Sequence, residues 1–141
     1  MQKRRRTLAM PLGLLMVALL LVGCGEPLEE KRVTGEITCS EDANLPSHAV
    51  VWVRIQEIRP QGRPNSVGEQ SIPWPGECPI AFDVTYDPDD IKPSKKYVLL
   101  VTVLDGNDIL YAGLENVITY FRPTSNVRIR IVNLEETGGV F

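Results

Sequence analysis

The chain has 141 residues, of which 43% are hydrophobic and 6% aromatic, and its formal net charge is −3. This length fits one globular domain, and the acidic balance argues against nucleic acid as a partner because phosphates would be repelled. No internal repeat, low-complexity tail or long run of like charge occurs in the chain.

The first 23 residues are typical of a secretory signal peptide. A basic start at residues 3–6 precedes an apolar run from about residue 8 to residue 22. A basic start, an apolar middle and a small-residue exit are the three parts of such a signal. A transmembrane anchor is the alternative, but it needs about 20 apolar residues to cross the hydrocarbon, and this run is shorter.

The signal ends in a motif that carries chemistry. Leu21-Val22-Gly23-Cys24 resembles the lipobox of bacterial lipoproteins, which implies cleavage before Cys24 and acylation of that cysteine as the membrane anchor. Several acyl chains on one residue meet the requirement for stable anchoring. Gly25 follows the cysteine where an Asp would favour inner-membrane retention, so we expect the periplasmic face of the outer membrane if the cell is Gram-negative. Residues 24–31 would form a lipidated tether spanning roughly 15 Å.

After cleavage the chain would be strongly acidic. All 18 acidic residues follow residue 23, whereas four of the 15 basic residues precede it, which leaves a net charge of −7. We interpret this charge as a contribution to solubility.

Two cysteines remain beyond the anchor, Cys39 and Cys78. In an oxidising compartment an isolated pair predicts a disulfide, and the alternative is two unrelated buried thiols. A metal site is not expected, because His48 is the only histidine and neither cysteine has a second one nearby.

From residue 32 onward the apolar residues alternate with a period of two, which predicts β-strands. The predicted strands lie near residues 33–37, 49–55, 67–72, 80–86, 97–104, 109–112, 116–120 and 127–132. The segment 97–104 is apolar on both sides, which indicates a central strand buried on both faces. Turn residues separate the runs, and only residues 88–95 could hold a helical turn.

These patterns predict an all-β fold, an antiparallel β-sandwich of about seven to eight strands. The domain would occupy residues 32–135, and residues 136–141 would form a flexible C-terminal tail.

A larger resemblance lies in the segment 79–91, Pro-Ile-Ala-Phe-Asp-Val-Thr-Tyr-Asp-Pro-Asp-Asp-Ile, with Tyr97 following it. Together with Leu45-Pro46 and residues 101–106, it resembles the YbaY-type lipoprotein domain, which is grouped with the YscW lipoproteins, the pilotins of type III secretion. The resemblance covers about residues 32–134. It implies a β-sandwich and a lipid anchor, but it does not imply an activity. Pilotins bind the C-terminal segment of a secretin, but no contact residue of theirs can be matched to a position here.

An enzymatic role is not predicted, and neither is a cofactor. The chain has no nucleophile elbow and no glycine-rich phosphate loop. Asp87, Asp89 and Asp90 are interpreted as turn and helix-start residues, although sequence alone does not exclude a pair of carboxylates brought together by the fold.

Binding is the more natural function, and four residues are candidates for it: Trp52, Trp74, Arg128 and Arg130. Trp74 lies in a proline-rich loop that could present its ring, or the ring could fold over the edge of the core. The two arginines could also be a solvated face or protect a sheet edge, and an extended peptide could add to an edge strand. The first hypothesis is an accessory or chaperone-like module that binds an outer-membrane or secretion-system protein, and the second is a carrier or sensor of an envelope glycan or lipid.

Overall fold

The computed structural model describes residues 30–117 and 124–135. They form eight β-strands and one short 3₁₀ helix, so the predicted all-β class is confirmed. The strands are β1 (Lys31–Thr38), β2 (Val50–Glu57), β3 (Asn65–Pro73), β4 (Ile80–Tyr86), β5 (Tyr97–Asp105), β6 (Asp108–Val117), β7 (Val127–Arg130) and β8 (Val132–Asn133), and the 3₁₀ helix is η1 (Pro88–Asp90). The predicted signal peptide, Cys24, most of the tether and the C-terminal tail lie outside the described residues.

The strands form two sheets that pack face to face as a sandwich. One has three strands in the order β4-β1-β7, and the other has five in the order β3-β2-β5-β6-β8. Within the described residues, every neighbouring pair is antiparallel except β1 and β7, which run parallel. The antiparallel sandwich predicted from the alternating pattern is therefore the observed architecture, with one parallel pair that local patterns cannot reveal.

The core lies between the two sheets and is built by alternate residues of each strand. In β2 and β4 every second residue is buried and those between are half-buried or exposed. The largest fully buried side chains include Ile37, Ile55, Leu99, Ile131 and Tyr97. Burying one large aliphatic side chain stabilises the fold by about 1.5–3 kcal/mol, so this layer dominates the stability of the domain.

Two predicted strand boundaries were wrong, and both errors arise where the sheets approach each other. The predicted break between residues 112 and 116 does not exist, since β6 runs unbroken from Asp108 to Val117. Gly113 lies within this strand because a Cβ there would lie 2.5 Å from the Arg130 carbonyl oxygen. The glycine therefore permits a close approach of two backbones and does not end the strand.

The second difference is at the C-terminal strand, which was expected to be continuous over residues 127–132. It divides at Ile131, whose N–H donates to the Thr38 carbonyl oxygen at 3.0 Å. The next residue, Val132, pairs with Ala112 of the other sheet. The chain therefore passes from one sheet to the other at the buried Ile131 and closes that side of the sandwich.

The Tyr-Asp-Pro segment closes one end of the sandwich. The Asp87 carboxylate accepts a hydrogen bond from the Asp89 N–H at 2.8 Å, and Pro88 begins η1. The buried Tyr97 hydroxyl donates to the Asp90 carbonyl oxygen at 3.2 Å and accepts from the Lys92 N–H at 2.9 Å. The segment is thus a structural device, as its sequence predicts, and the predicted helical turn is η1.

A disulfide joins Cys39, just after β1, to Cys78, just before β4. Their Cα atoms lie 6.0 Å apart, and 39 positions separate them in sequence. Because β1 and β4 are neighbours in the three-stranded sheet, the disulfide fastens the end of this sheet.

Candidate partner-binding face

The two outer faces of the sandwich have opposite surface chemistry. On the three-stranded sheet the outward residues are mainly charged or hydroxyl-bearing: Arg32, Thr34, Glu36, Thr38, Ala81, Asp83, Thr85, Arg128 and Arg130. Arg32 and Asp83 form an exposed ion pair across the strands at 3.1 Å. We call this surface the charged face, and it has the composition of an ordinary solvated sheet.

On the five-stranded sheet the outward residues are mainly apolar. We define the apolar face by Val50, Trp52, Leu100, Leu104, Ile109, Leu114 and Val132. Ile109 and Leu114 are 48% and 49% exposed, and both are among the most exposed large hydrophobic residues of the described chain. None of the described strands or the 3₁₀ helix lies across this face.

Strand register places the apolar side chains side by side. Arg54 of β2 lies opposite Leu100 of β5, and Leu100 lies opposite Leu114 of β6. In the next outward row Trp52 lies opposite Thr102, which is buried. Since neighbouring strands are about 4.8 Å apart, the three strands form a patch about 10 Å wide.

Arg54 is the cation within this patch. Its guanidinium Nη2 lies 3.5 Å from the Thr102 hydroxyl oxygen, and its Nε is buried without a hydrogen-bond acceptor. Glu69 of β3 is its cross-strand neighbour, but no ion pair joins them, and Arg54 has no ion pair elsewhere in residues 30–117 and 124–135. A buried guanidinium nitrogen without an acceptor is unusual, since buried polar atoms are nearly always hydrogen-bonded.

The structure separates the four binding residues that the sequence suggested. Trp52 is half-buried on the apolar face, whereas Arg128 and Arg130 are exposed on the charged face. Trp74 is half-buried and its side chain packs against the core, and its backbone N–H donates to the Ala49 carbonyl oxygen at 3.0 Å. The Trp74 ring therefore covers the edge of the core, which is the second of the two arrangements that the sequence allowed.

Neither the leucines nor Arg54 was predicted as a binding residue from the sequence, although one signal was available. Residues 97–104 are apolar on both sides, and we interpreted this as burial on both faces. The structure confirms the central position of β5. On its outer side Val98 and Thr102 are buried, but Leu100 and Leu104 are only half-buried.

The edge of β3 is a poor place for a peptide to add as an extra strand. The Gln70 side chain accepts a hydrogen bond from the Asp83 N–H of β4 at 2.8 Å. A Cβ at Gly68 would lie 2.5 Å from the Thr85 carbonyl oxygen, so β3 and β4 are in close contact along this side. This contact protects both edges from strand addition.

A polar cluster occupies the sandwich end where β2 finishes. The Glu57 carboxylate is buried and forms ion pairs with Arg59 at 2.9 Å and Lys95 at 3.3 Å. The hydrogen bond from Arg59 holds the pKa of Glu57 below its ordinary value, although burial opposes this, and Glu57 raises the pKa of Arg59. An open cleft beside the cluster is lined by Asp90 and Lys92. Because each cation is already paired with Glu57, we assign the cluster a structural role.

No arrangement for chemistry is evident among the described residues. His48 is exposed, and its Nε2 lies 2.6 Å from an Asp105 carboxylate oxygen. No group of three metal-ligating side chains occurs in residues 30–117 and 124–135. The described part also contains no helix with the length and apolar character needed to cross a bilayer.

The described residues therefore form a small β-sandwich with one apolar outer face. Residues 28–130 match the family model described as the type III secretion system lipoprotein chaperone (YscW). The chain therefore belongs to this family, and the resemblance seen in its sequence is confirmed. The family description supports a chaperone-like accessory role.

A solved structure has the same fold. It is an alternative pilotin from the type II secretion system of Vibrio cholerae, which is 23% identical to this chain. The match has a TM-score of 0.66 and covers 74% of this chain and 97% of the pilotin. No curated protein matches the chain at a significant level.

Proposed function

We propose that the chain is a non-enzymatic, lipid-anchored module of the cell envelope that binds a segment of an outer-membrane or secretion-system protein on its apolar face. The acyl chains on Cys24 would hold it at the periplasmic face of the outer membrane. Membership of a family of secretion lipoprotein chaperones supports this role, and so does the pilotin-like fold.

The observation that carries the proposal is the apolar face itself. An antiparallel sheet that faces water on one side normally alternates apolar residues with polar ones, as the charged face does. The apolar face instead exposes Leu114 and Ile109 to about half of their full extent. A contiguous exposed apolar surface of this kind is typical of an interaction site.

The backbone of the sheet indicates the form of the bound segment. The strands β2 and β5 are paired with neighbours on both sides, so their N–H and C=O groups are not available to a ligand lying on the face. A segment that docks there must satisfy its own backbone hydrogen bonds. A helix with one apolar stripe meets this condition, because its backbone bonds are internal.

Site-specific photo-crosslinking in the native cells would test the apolar face. A benzoylphenylalanine residue at position 114 should capture one defined envelope protein, whereas the same residue at position 85 on the charged face should not. The crosslinked peptide should map to one segment of the captured protein.

A pair of charge substitutions provides the matched control. Leu114→Glu should abolish the functional interaction, measured as co-purification of the captured protein with the lipoprotein. Ile58→Glu should leave it intact, because Ile58 is similarly exposed at 47% but lies outside the apolar face. Equal crosslinking from both faces, or co-purification that survives Leu114→Glu, would contradict the proposal.

The anchor is tested separately. Cys24→Ala should leave an unprocessed or soluble protein, because the thiol is the acylated group. Fractionation of the cells should then show loss of the chain from the outer membrane, and normal retention of this variant would rule out the lipid anchor.

A further inference from the structure

Arg54 gives the apolar face a charge preference. The charged side chains that point outward from its strands and from edge strand β3 include Arg54 and Glu69, which are direct cross-strand neighbours. Glu69 is exposed, and the two side chains form no ion pair within the described residues. The guanidinium instead lies half-buried beside Thr102, and its Nε lacks an acceptor.

A segment that covers the apolar face must either pair with the Arg54 guanidinium or bury it without a partner. Arg54 lies in one row with Leu100 and Leu114, and its guanidinium reaches Thr102 on the same strand as Leu100. A partner that lies along this row therefore covers the guanidinium. A guanidinium remains protonated at any physiological pH and is expensive to bury without a partner. A carboxylate can accept two parallel hydrogen bonds from the guanidinium and balance its charge, which a neutral or apolar partner cannot do.

We infer that the segment bound by the apolar face carries an aspartate or glutamate beside its apolar stripe, and that this carboxylate pairs with Arg54. The inference rests on the proposed function and adds a specificity-determining contact to it. A cation at that position would repel Arg54, and an amide would offer one neutral acceptor oxygen without the charge. Segments with the same apolar stripe and either group would therefore bind more weakly.

The test starts from the segment that the crosslinker at position 114 captures. A synthetic peptide of that segment should bind the full processed lipoprotein held in phosphatidylcholine nanodiscs, with affinity measured by fluorescence anisotropy. Arg54→Gln should raise the Kd by about tenfold or more, since it removes one member of a desolvated charge pair. Arg54→Lys should fall between the two, because an ammonium keeps the charge but lacks the planar fork.

Two controls separate the charge pair from general damage. Arg32→Gln, the same change on the charged face, should leave the Kd unchanged, and Glu69→Gln should leave it unchanged or lower it by removing a competing carboxylate. The decisive variant is the charge exchange: Arg54→Glu should abolish binding, and replacing the acidic residue of the peptide by arginine should restore it.

The outcomes distinguish this inference from the proposed function. Strong binding that is insensitive to Arg54→Gln, or a captured segment without any Asp or Glu, would overturn the charge pair while leaving the docking face intact. If position 114 crosslinks only to lipid, to a second copy of the chain or to nothing, both the proposed function and the inference are wrong.

Discussion

The two outer faces of this sandwich lie on opposite sides of one shared core, yet one is charged and the other is mainly apolar. On the charged face Arg32 and Asp83 pair in water, as on most solvated sheets. On the apolar face Leu100 and Leu114 lie in adjacent strands, and the nearest cation, Arg54, has no ion pair within the described part of the chain. Since folding does not require an apolar outer layer, the difference supports the proposal that the outer side of the five-stranded sheet binds a partner.

The two sheets also differ in that only one of them is cross-linked by the disulfide. Removing the disulfide is expected to have the largest effect on stability of the changes considered. The three-stranded sheet is fastened by Cys39–Cys78, whereas the five-stranded sheet relies on packing and strand pairing. The double variant Cys39→Ala/Cys78→Ala should lower the unfolding free energy by about 4 kcal/mol, because the bond closes a loop in the unfolded chain. Urea unfolding of the purified processed protein measures this loss. The parent protein under reductant should match the double variant, and an unchanged midpoint would show that the small sheet needs no fastening.

Truncating two adjacent leucines of β5 compares how much the inner and outer sides of one strand contribute to stability. Leu99 is fully buried in the core and Leu100 is half-buried on the apolar face. Leu99→Ala should reduce the unfolding free energy by about 3 kcal/mol, since it leaves a cavity, whereas Leu100→Ala should reduce it by about 1 kcal/mol. Both values come from the same denaturation assay. If the two losses are equal, the outer leucine is part of the structural core, and this would contradict the proposal that the apolar face is a binding surface.

Glu57 is a charged residue on the inner side of the five-stranded sheet, and its contribution can be measured from the pH dependence of stability. The Arg59 hydrogen bond lowers the pKa of Glu57 from its ordinary value of 4.5, so the folded state binds this proton more weakly than the unfolded state. The resulting stability is fully present above about pH 4.5 and is lost as the pH falls through the lowered pKa. Thermal unfolding between pH 7 and pH 3 should therefore decline less steeply in Glu57→Gln than in the parent, and parallel curves would show that Glu57 contributes nothing to acid sensitivity.

The smallest effect is expected on the charged face. Arg32 and Asp83 are both substantially exposed, and pairs of this kind are screened by water and salt. Arg32→Ala should change the unfolding free energy by less than about 0.5 kcal/mol, and added salt should reduce the difference further. A loss above 1 kcal/mol would mean that the charged face contributes to stability more than ordinary surface pairs do.

Much of the fold could be predicted because each strand carries its own pattern. The bounds of β4 match the expected residues 80–86, and β5 begins at Tyr97 as expected. The errors at Gly113 and Ile131 arise where backbones of different sheets meet, and such contacts leave no local period in the sequence. The parallel pairing of β1 with β7 was missed for the same reason, because it joins residues far apart in the chain.

The candidate site was predictable only in part. Trp52 was selected because it is a large aromatic on the outward side of its strand, and it does lie on the apolar face. It was grouped with Arg128 and Arg130, which the structure places on the opposite side of the molecule. A period of two shows which residues of a strand share a side, but it does not show which sheet the strand joins.

The sequence by itself determined the strand content, the turn segments, the family and the residues that alternate into the core, because these depend on local periodicity and residue chemistry. The tertiary structure decided which outward residues become neighbours and which of them no described strand covers. Leu100 is apolar in either case, and its role depends on whether another layer packs above it. That depends on how all the strands are arranged in space, which is why the apolar face and the position of Arg54 within it emerged only from the folded molecule.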